Sequence, residues 1–257
     1  MRAVMRGHLA ALVLVSAATV STAGNAHASA PSFCGELGGN WDGRYCHTSV
    51  TSERNAVRDI KVAVPDDLVD NPTTGPVIRD YLRTLVNNWK TANVHMAADS
   101  YGEENFEVFR HANLLSAVFH EDYHADGPQP NNAYRTFTFD MASGRRVQLA
   151  DLATNPLTAI PPLAAPFIQT ALDQAPPPHD PGSYPFLRDR WTPDKVYSGA
   201  YKAWALTPDE LIIYMPDYPV GHDEPINFSP GLPQWYMDGG TVQAHIPLSA
   251  LGSVLHV

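Results

Sequence analysis

His120-Glu121-Asp122-Tyr123-His124 is the stretch with the most direct chemistry in this chain. It fits H-E-x-x-H, in which two histidines one helical turn apart ligate zinc and the glutamate serves as general base. On a helix the two histidine Cβ atoms lie about 6 Å apart and can share an ion. On a strand the same four residues span ~13 Å, too far for one ion. The flanking residues favour the strand. Leu115, Ala117, Phe119, Glu121 and Tyr123, mostly apolar, alternate with Ser116, Val118, His120, Asp122 and His124, mostly polar. That is period two, and Gly127, Pro128 and Pro130 stop a helix downstream. A zinc set of His120, His124 and Glu121 is the alternative; no cofactor is expected.

Other signatures of catalysis are thin. No G-x-S-x-G nucleophile elbow occurs, and no Ser, His and Asp spacing singles out a triad. Thr138-Phe139-Asp140 shares three residues with the T-F-D-D of polysaccharide deacetylases, but the second Asp is Met141. GELGGNWDG precedes no helical pattern and lacks the lysine of a phosphate cradle. His222, Asp223 and Glu224 sit together in a loop, which a solvated surface explains as well as a site does.

The elements that would carry these residues are mixed. Asn55–Val64 reads as a strand burying Ile60, Val62 and Val64. From Pro76 a helix places Val77, Tyr81, Leu82, Leu85 and Trp89 on one face, its aromatics in the core. Strands follow over 106–111, 113–124 and 134–140, with a tight turn at Ser143-Gly144. Prolines at 156, 161, 162 and 166 should break any long helix, leaving one over 166–174. Strands over 201–206, 211–215 and 241–248 precede a short C-terminal helix. Strands and helices without regular β-α-β alternation indicate a single α+β domain, mostly antiparallel, packed with a few helices.

Residues 1–28 have the basic, apolar and small-residue parts of a signal peptide, with Ala26-His27-Ala28 as the cleavage motif; an uncleaved anchor is the alternative. The mature domain is then 29–257, exported to the envelope or the medium. Removing Arg2 and Arg6 leaves 15 Lys+Arg against 27 Asp+Glu, a net charge of -12. That argues against nucleic acid and an anionic membrane surface as partners, and a basic partner would be steered in more readily. Cys34 and Cys46 are the only cysteines. In an oxidising compartment they are expected to pair and staple the loop between them, contributing about 3 kcal/mol.

The order of motifs carries a family resemblance. LLSAVFHEDYHADGPQPNNAYRTFTFDMASGRRVQLADL resembles the core of the RsiV-type extracellular domain, through Ser116, Phe119, Glu121, Gly127, Tyr134, Phe137, Asp140, Leu149, Asp151 and Leu152. LTPDELIIYMPDY and TVQAHIPLSAL follow in the family's order. The early cysteine pair and a strand ending at Val64-Pro65 are similar to secreted immunogenic antigens of mycobacteria. The resemblance implies one α+β domain with helices packed on a sheet. In the anti-sigma-factor branch such a domain is a sensor that binds lysozyme; in cell-wall deacetylases it is an accessory. Two departures stand out. The family's Gly-Gly-x-His turn is Asp126-Gly127-Pro128-Gln129, so its histidine is absent. The segment 217–238 is longer than the family's connection and carries His222, Asp223, Glu224, Trp235 and Tyr236, a candidate partner-binding loop. The expected function is non-catalytic binding of a protein or cell-envelope component, with an immunogenic antigen at the host interface as its specific form. The alternative is an esterase-like or zinc-dependent hydrolase.

Overall fold

The structure, a computed structural model, describes residues 29–92, 95–124, 131–174, 203–216 and 239–257. The expected signal peptide, the turn of Asp126, Gly127 and Gln129, and the loop of His222, Asp223, Glu224, Trp235 and Tyr236 lie outside the described residues. In chain order the elements are α1 (Ala30–Glu36), β1 (Asn40–Trp41), β2 (Tyr45–Thr51), β3 (Val57–Ala63), α2 (Asp66–Val69), α3 (Gly75–Thr91), β4 (Ser100–His111), β5 (Leu114–His124), β6 (Asn131–Asp140) and β7 (Arg145–Val147). A 3-10 turn (Leu149–Leu152), α4 (Pro156–Gln174), β8 (Trp204–Leu206), β9 (Glu210–Pro216), β10 (Gly239–Pro247) and α5 (Leu248–Leu251) complete them. The expected α+β class holds: one ten-stranded sheet in the order β1-β2-β3-β4-β5-β6-β10-β9-β8, with β7 on β6. Only β3–β4 and the brief β6–β10 contact are parallel.

Period two builds the first half of the sheet. In β3, Ile60 and Val62 are buried, with Val64 just beyond the strand, the face expected from alternation. Arg58 shares that face and is fully buried. β4 begins at Ser100, six residues before the expected start at Phe106. Its buried face opens with Ser100, Gly102 and Glu104, polar or small types that hide the alternation. The β3–β4 crossover runs through α3, whose Ile78, Leu82, Leu85, Val86 and Trp89 pack with Phe33, Phe119 and Phe139 into one core. Each such aliphatic or aromatic side chain contributes roughly 1.5–3 kcal/mol on burial. Trp89 lies over Gly102, where an added Cβ would come within 2.6 Å of the indole, so the helix reaches the sheet only because that position lacks a side chain.

The prolines do not break α4, contrary to expectation. Pro161, Pro162 and Pro166 sit inside one continuous helix. Each removes a bond to the carbonyl four residues back, but Ile160, Ala164 and Ile168, at i, i+4 and i+8, form a buried stripe against β10 and its neighbours. Tertiary packing of that stripe supplies the helical stability that propensity does not. A third apolar group joins Val118 on the opposite face of β5 to Ala205, Ile212 and Tyr214, because the sheet curls and carries β8 over β5 and β6. There the backbone N–H groups of Trp204 and Leu206 donate to Thr136 Oγ1 (2.9 Å) and Ser116 Oγ (3.0 Å).

Candidate functional site

The first site is built on the disulfide. Cys34 on α1 and Cys46 on β2 are bonded, the pairing expected of the chain's two cysteines, and fasten α1 to the β1–β2 hairpin. Gly39 passes under the bridge. A Cβ there would stand 2.5 Å from Cys46 Sγ and 2.8 Å from the His47 carbonyl oxygen, neither of which can yield. Gly39→Ala is therefore expected to lower stability by about 1–2 kcal/mol, read from the urea midpoint of the oxidised protein; an unchanged midpoint would show that the lobe gives way freely.

The hairpin turn is held by Asp42. Its carboxylate accepts from the backbone N–H groups of Tyr45 (2.7 Å) and Arg44 (2.9 Å) and pairs with His47 Nε2 at 2.8 Å. These bonds, the Tyr45 amide foremost, pull its pKa down to about 2. The turn thereby presents Arg44, whose guanidinium lies 5.2 Å from the Tyr45 ring centroid. Beside it runs a groove of about 520 Å³ lined by Pro31, Trp41, Arg44, Val64, Asp66 and Phe106. Trp41 and Phe106 are half-buried; Arg44 and Asp66 are exposed. Asp66 Oδ1 accepts from the Ala30 N–H at 2.9 Å, which ties α1 to the start of α2 and fixes this carboxylate on the groove wall. A volume within the usual range for small-ligand sites, aromatic walls and a few convergent polar groups are the attributes of a binding groove.

The second cluster lies beneath α3. Glu104 and Glu121 face each other across the β4–β5 ladder. Glu121 Oε1 accepts from Tyr81 Oη and from Arg135 Nε, both at 3.0 Å. Glu104 is fully buried, and neither of its carboxyl oxygens has a hydrogen-bond partner. Burial first, and the Glu121 charge second, raise its pKa well above the ordinary carboxyl range; the Ala63 amide opposes this without closing a hydrogen bond. Tyr81, expected only as core, also holds Glu121, and its hydroxyl is pushed well above its ordinary range by burial and that neighbouring charge. Sequence reasoning missed Glu104. The available signal was the pair Glu103-Glu104: on a strand one of two adjacent residues must face inward.

His120-Glu121-Asp122-Tyr123-His124 lies within β5 and is not helical. The His120 ring stacks on Tyr134 at 4.5 Å and the His124 ring on Tyr101 at 5.5 Å, while Glu121 points to the other face and Arg135. The three residues expected as the alternative zinc set are therefore not brought together. Among the described residues no three His, Cys, Asp or Glu side chains are grouped to hold a metal ion. Among the same residues no helix is long and apolar enough to cross a membrane.

Fold and groove together define an open, curled α+β sheet protein with a disulfide-closed N-terminal lobe. Residues 150–249 match the family model described as protein of unknown function (DUF3298), and residues 23–60 match the model of the mannan-binding protein family. Among solved structures, a DUF3298 family protein from Pseudomonas aeruginosa PAO1 is similar at 12% identity with a TM-score of 0.51, over 82% of this chain and 92% of that one. That likeness is one of fold. A DUF3298 family member from Bacteroides fragilis aligns at 12% identity over 83% of this chain and 92% of that one, with a TM-score of 0.47. No curated protein matches the chain.

Proposed function

We propose that this chain is an exported, non-catalytic binding protein whose partner is a cell-envelope component or a protein met outside the cell. The observation that carries the reading is a coincidence of place. The segment that matches a mannan-binding family, residues 23–60, includes the disulfide-stapled lobe that supplies Pro31, Trp41 and Arg44 to the groove. An envelope polysaccharide is accordingly the first partner to test. The signal-like residues 1–28 and the resemblance to RsiV-type domains and to mycobacterial secreted antigens support work outside the cytoplasm. A role as an immunogenic antigen at the host interface is the specific form of the proposal.

The immobilised protein is expected to retain a saturable partner from envelope or extracellular host extracts, displaced by free protein. It is expected to turn over no short acyl ester and to carry no stoichiometric zinc on elemental analysis. Ester turnover, bound zinc, or extracts that yield no saturable partner would sink the binding reading. The hydrolase alternative draws on Glu104, whose burial raises its pKa well above the ordinary carboxyl range beside Glu121, since a carboxyl kept protonated can serve as a general acid. Glu104, however, is fully buried and does not line the groove where a substrate would lie.

A further inference from the structure

Resting on that reading, we infer that the groove between the disulfide-stapled lobe and Phe106 is a saccharide site for uncharged pyranose units, with Trp41 as the stacking platform and Arg44 and Asp66 as the hydroxyl-binding pair. A pyranose ring has two different surfaces. Its C–H faces are apolar and seek an aromatic plane, while its equatorial hydroxyls both donate and accept. The groove offers a counterpart to each. Trp41 and Phe106 provide aromatic area that is half-buried and thus held in place by the core behind it. Arg44 contributes only donors and Asp66 only acceptors, the two complements that a vicinal diol needs.

The walls are preorganised before any ligand arrives. Asp42 holds the turn that presents Arg44 through three hydrogen bonds, and the Tyr45 ring supports the guanidinium from behind. The Ala30 N–H fixes one oxygen of Asp66, leaving the carboxylate a second oxygen with which to accept. The disulfide locks both flanks together. Little side-chain freedom then remains to be lost on binding.

Charge decides between neutral and acidic sugars. Arg44 and Asp66 cancel, and the mature chain carries a net charge of -12 by the count of its residues. A polyanion meets no local surplus of positive charge and a repulsive overall field. Uronate- or phosphate-bearing polymers are thereby disfavoured.

The test is retention of the intact protein on immobilised neutral polysaccharides, mannan and dextran, and on anionic polygalacturonate. At least one neutral polymer should bind and polygalacturonate should not. Trp41→Ala and Arg44→Ala should each weaken that binding at least tenfold, while Tyr101→Ala, at a distant exposed position, should leave it unchanged. Arg44 is exposed, so its variant remains informative if the Trp41 variant does not fold; thermal melts report this. Preference for polygalacturonate, or neutral binding that neither substitution weakens, overturns the inference. Failure to retain any neutral polymer, with extract partners still captured in an Arg44-dependent manner, removes the saccharide assignment and leaves the binding-protein reading standing. Failure of both assays removes both.

Discussion

Replacing Arg58 by methionine is expected to lower the free energy of unfolding by about 4 kcal/mol. The side chain is fully buried, yet among the described residues no carboxylate forms an ion pair with it. Its guanidinium donates instead from Nε to Ser100 Oγ (2.8 Å) and from Nη1 to the carbonyl oxygens of Trp89 (2.7 Å) and Ala92. Those two carbonyls belong to the last turn and the C-cap of α3, where backbone acceptors have no helical partner. A cation at that end also meets the negative pole of the helix dipole, and the Tyr123 ring lies 5.2 Å away as a further stabilising face. Methionine would fill much of the volume and leave the buried Trp89 carbonyl and the part-buried Ala92 carbonyl without this donor, at about 1–3 kcal/mol each. Arg58→Lys should fall between the two, because an ammonium cannot reproduce the fork. Urea unfolding with an unchanged slope is the measurement. A loss below 1 kcal/mol for the methionine variant would falsify the role given to Arg58 as the clasp between β3 and α3.

Glu104→Met should act in the opposite direction, raising stability by about 2–3 kcal/mol at pH 8 and by less at pH 5. The wild-type carboxyl has no partner, and its folded-state pKa stands well above the ordinary 4.5. A raised folded-state pKa means that the folded protein holds a proton the unfolded chain would release. The resulting contribution is fully present below pH 4.5, where both states are protonated, and is lost as pH rises toward the folded value. The wild type should therefore lose stability from pH 5 to pH 8, and the methionine variant should lose less. Denaturant midpoints across that range check both statements. Parallel pH profiles for the two proteins would show that Glu104 is hydrated or paired in solution.

Legibility in the sequence followed the uniformity of each buried face. Ile60, Val62 and Val64 declare β3 because its inward positions after Arg58 are aliphatic, and Leu115 to Tyr123 declare β5 against a tempting metal motif. β4 is legible only from Phe106 onward because Ser100, Gly102 and Glu104 occupy its earlier inward positions, so its first half looks like a loop. The continuity of α4 is hidden because local proline chemistry argues against a helix, whereas its stripe of Ile160, Ala164 and Ile168 has a value only once β10 is there to receive it. The groove was the least legible. Trp41 and Arg44 lie more than sixty residues from Phe106, and only the parallel crossover through α3 sets β4 beside the lobe. The disulfide, by contrast, followed from two cysteines and a compartment.

The two hydroxyls beneath β8 bear on the company this protein keeps. A sheet that does not close into a barrel has two free rims, and each rim offers backbone groups to which a foreign strand can add. At β8 the outward N–H groups of Trp204 and Leu206 are already spoken for by Thr136 and Ser116, and the opposite rim, β1, is two residues long. Over Trp204–Leu206 the β8 rim therefore has no outward amide free to template a foreign strand, so a chain at high local concentration meets a barrier to polymerising through that edge.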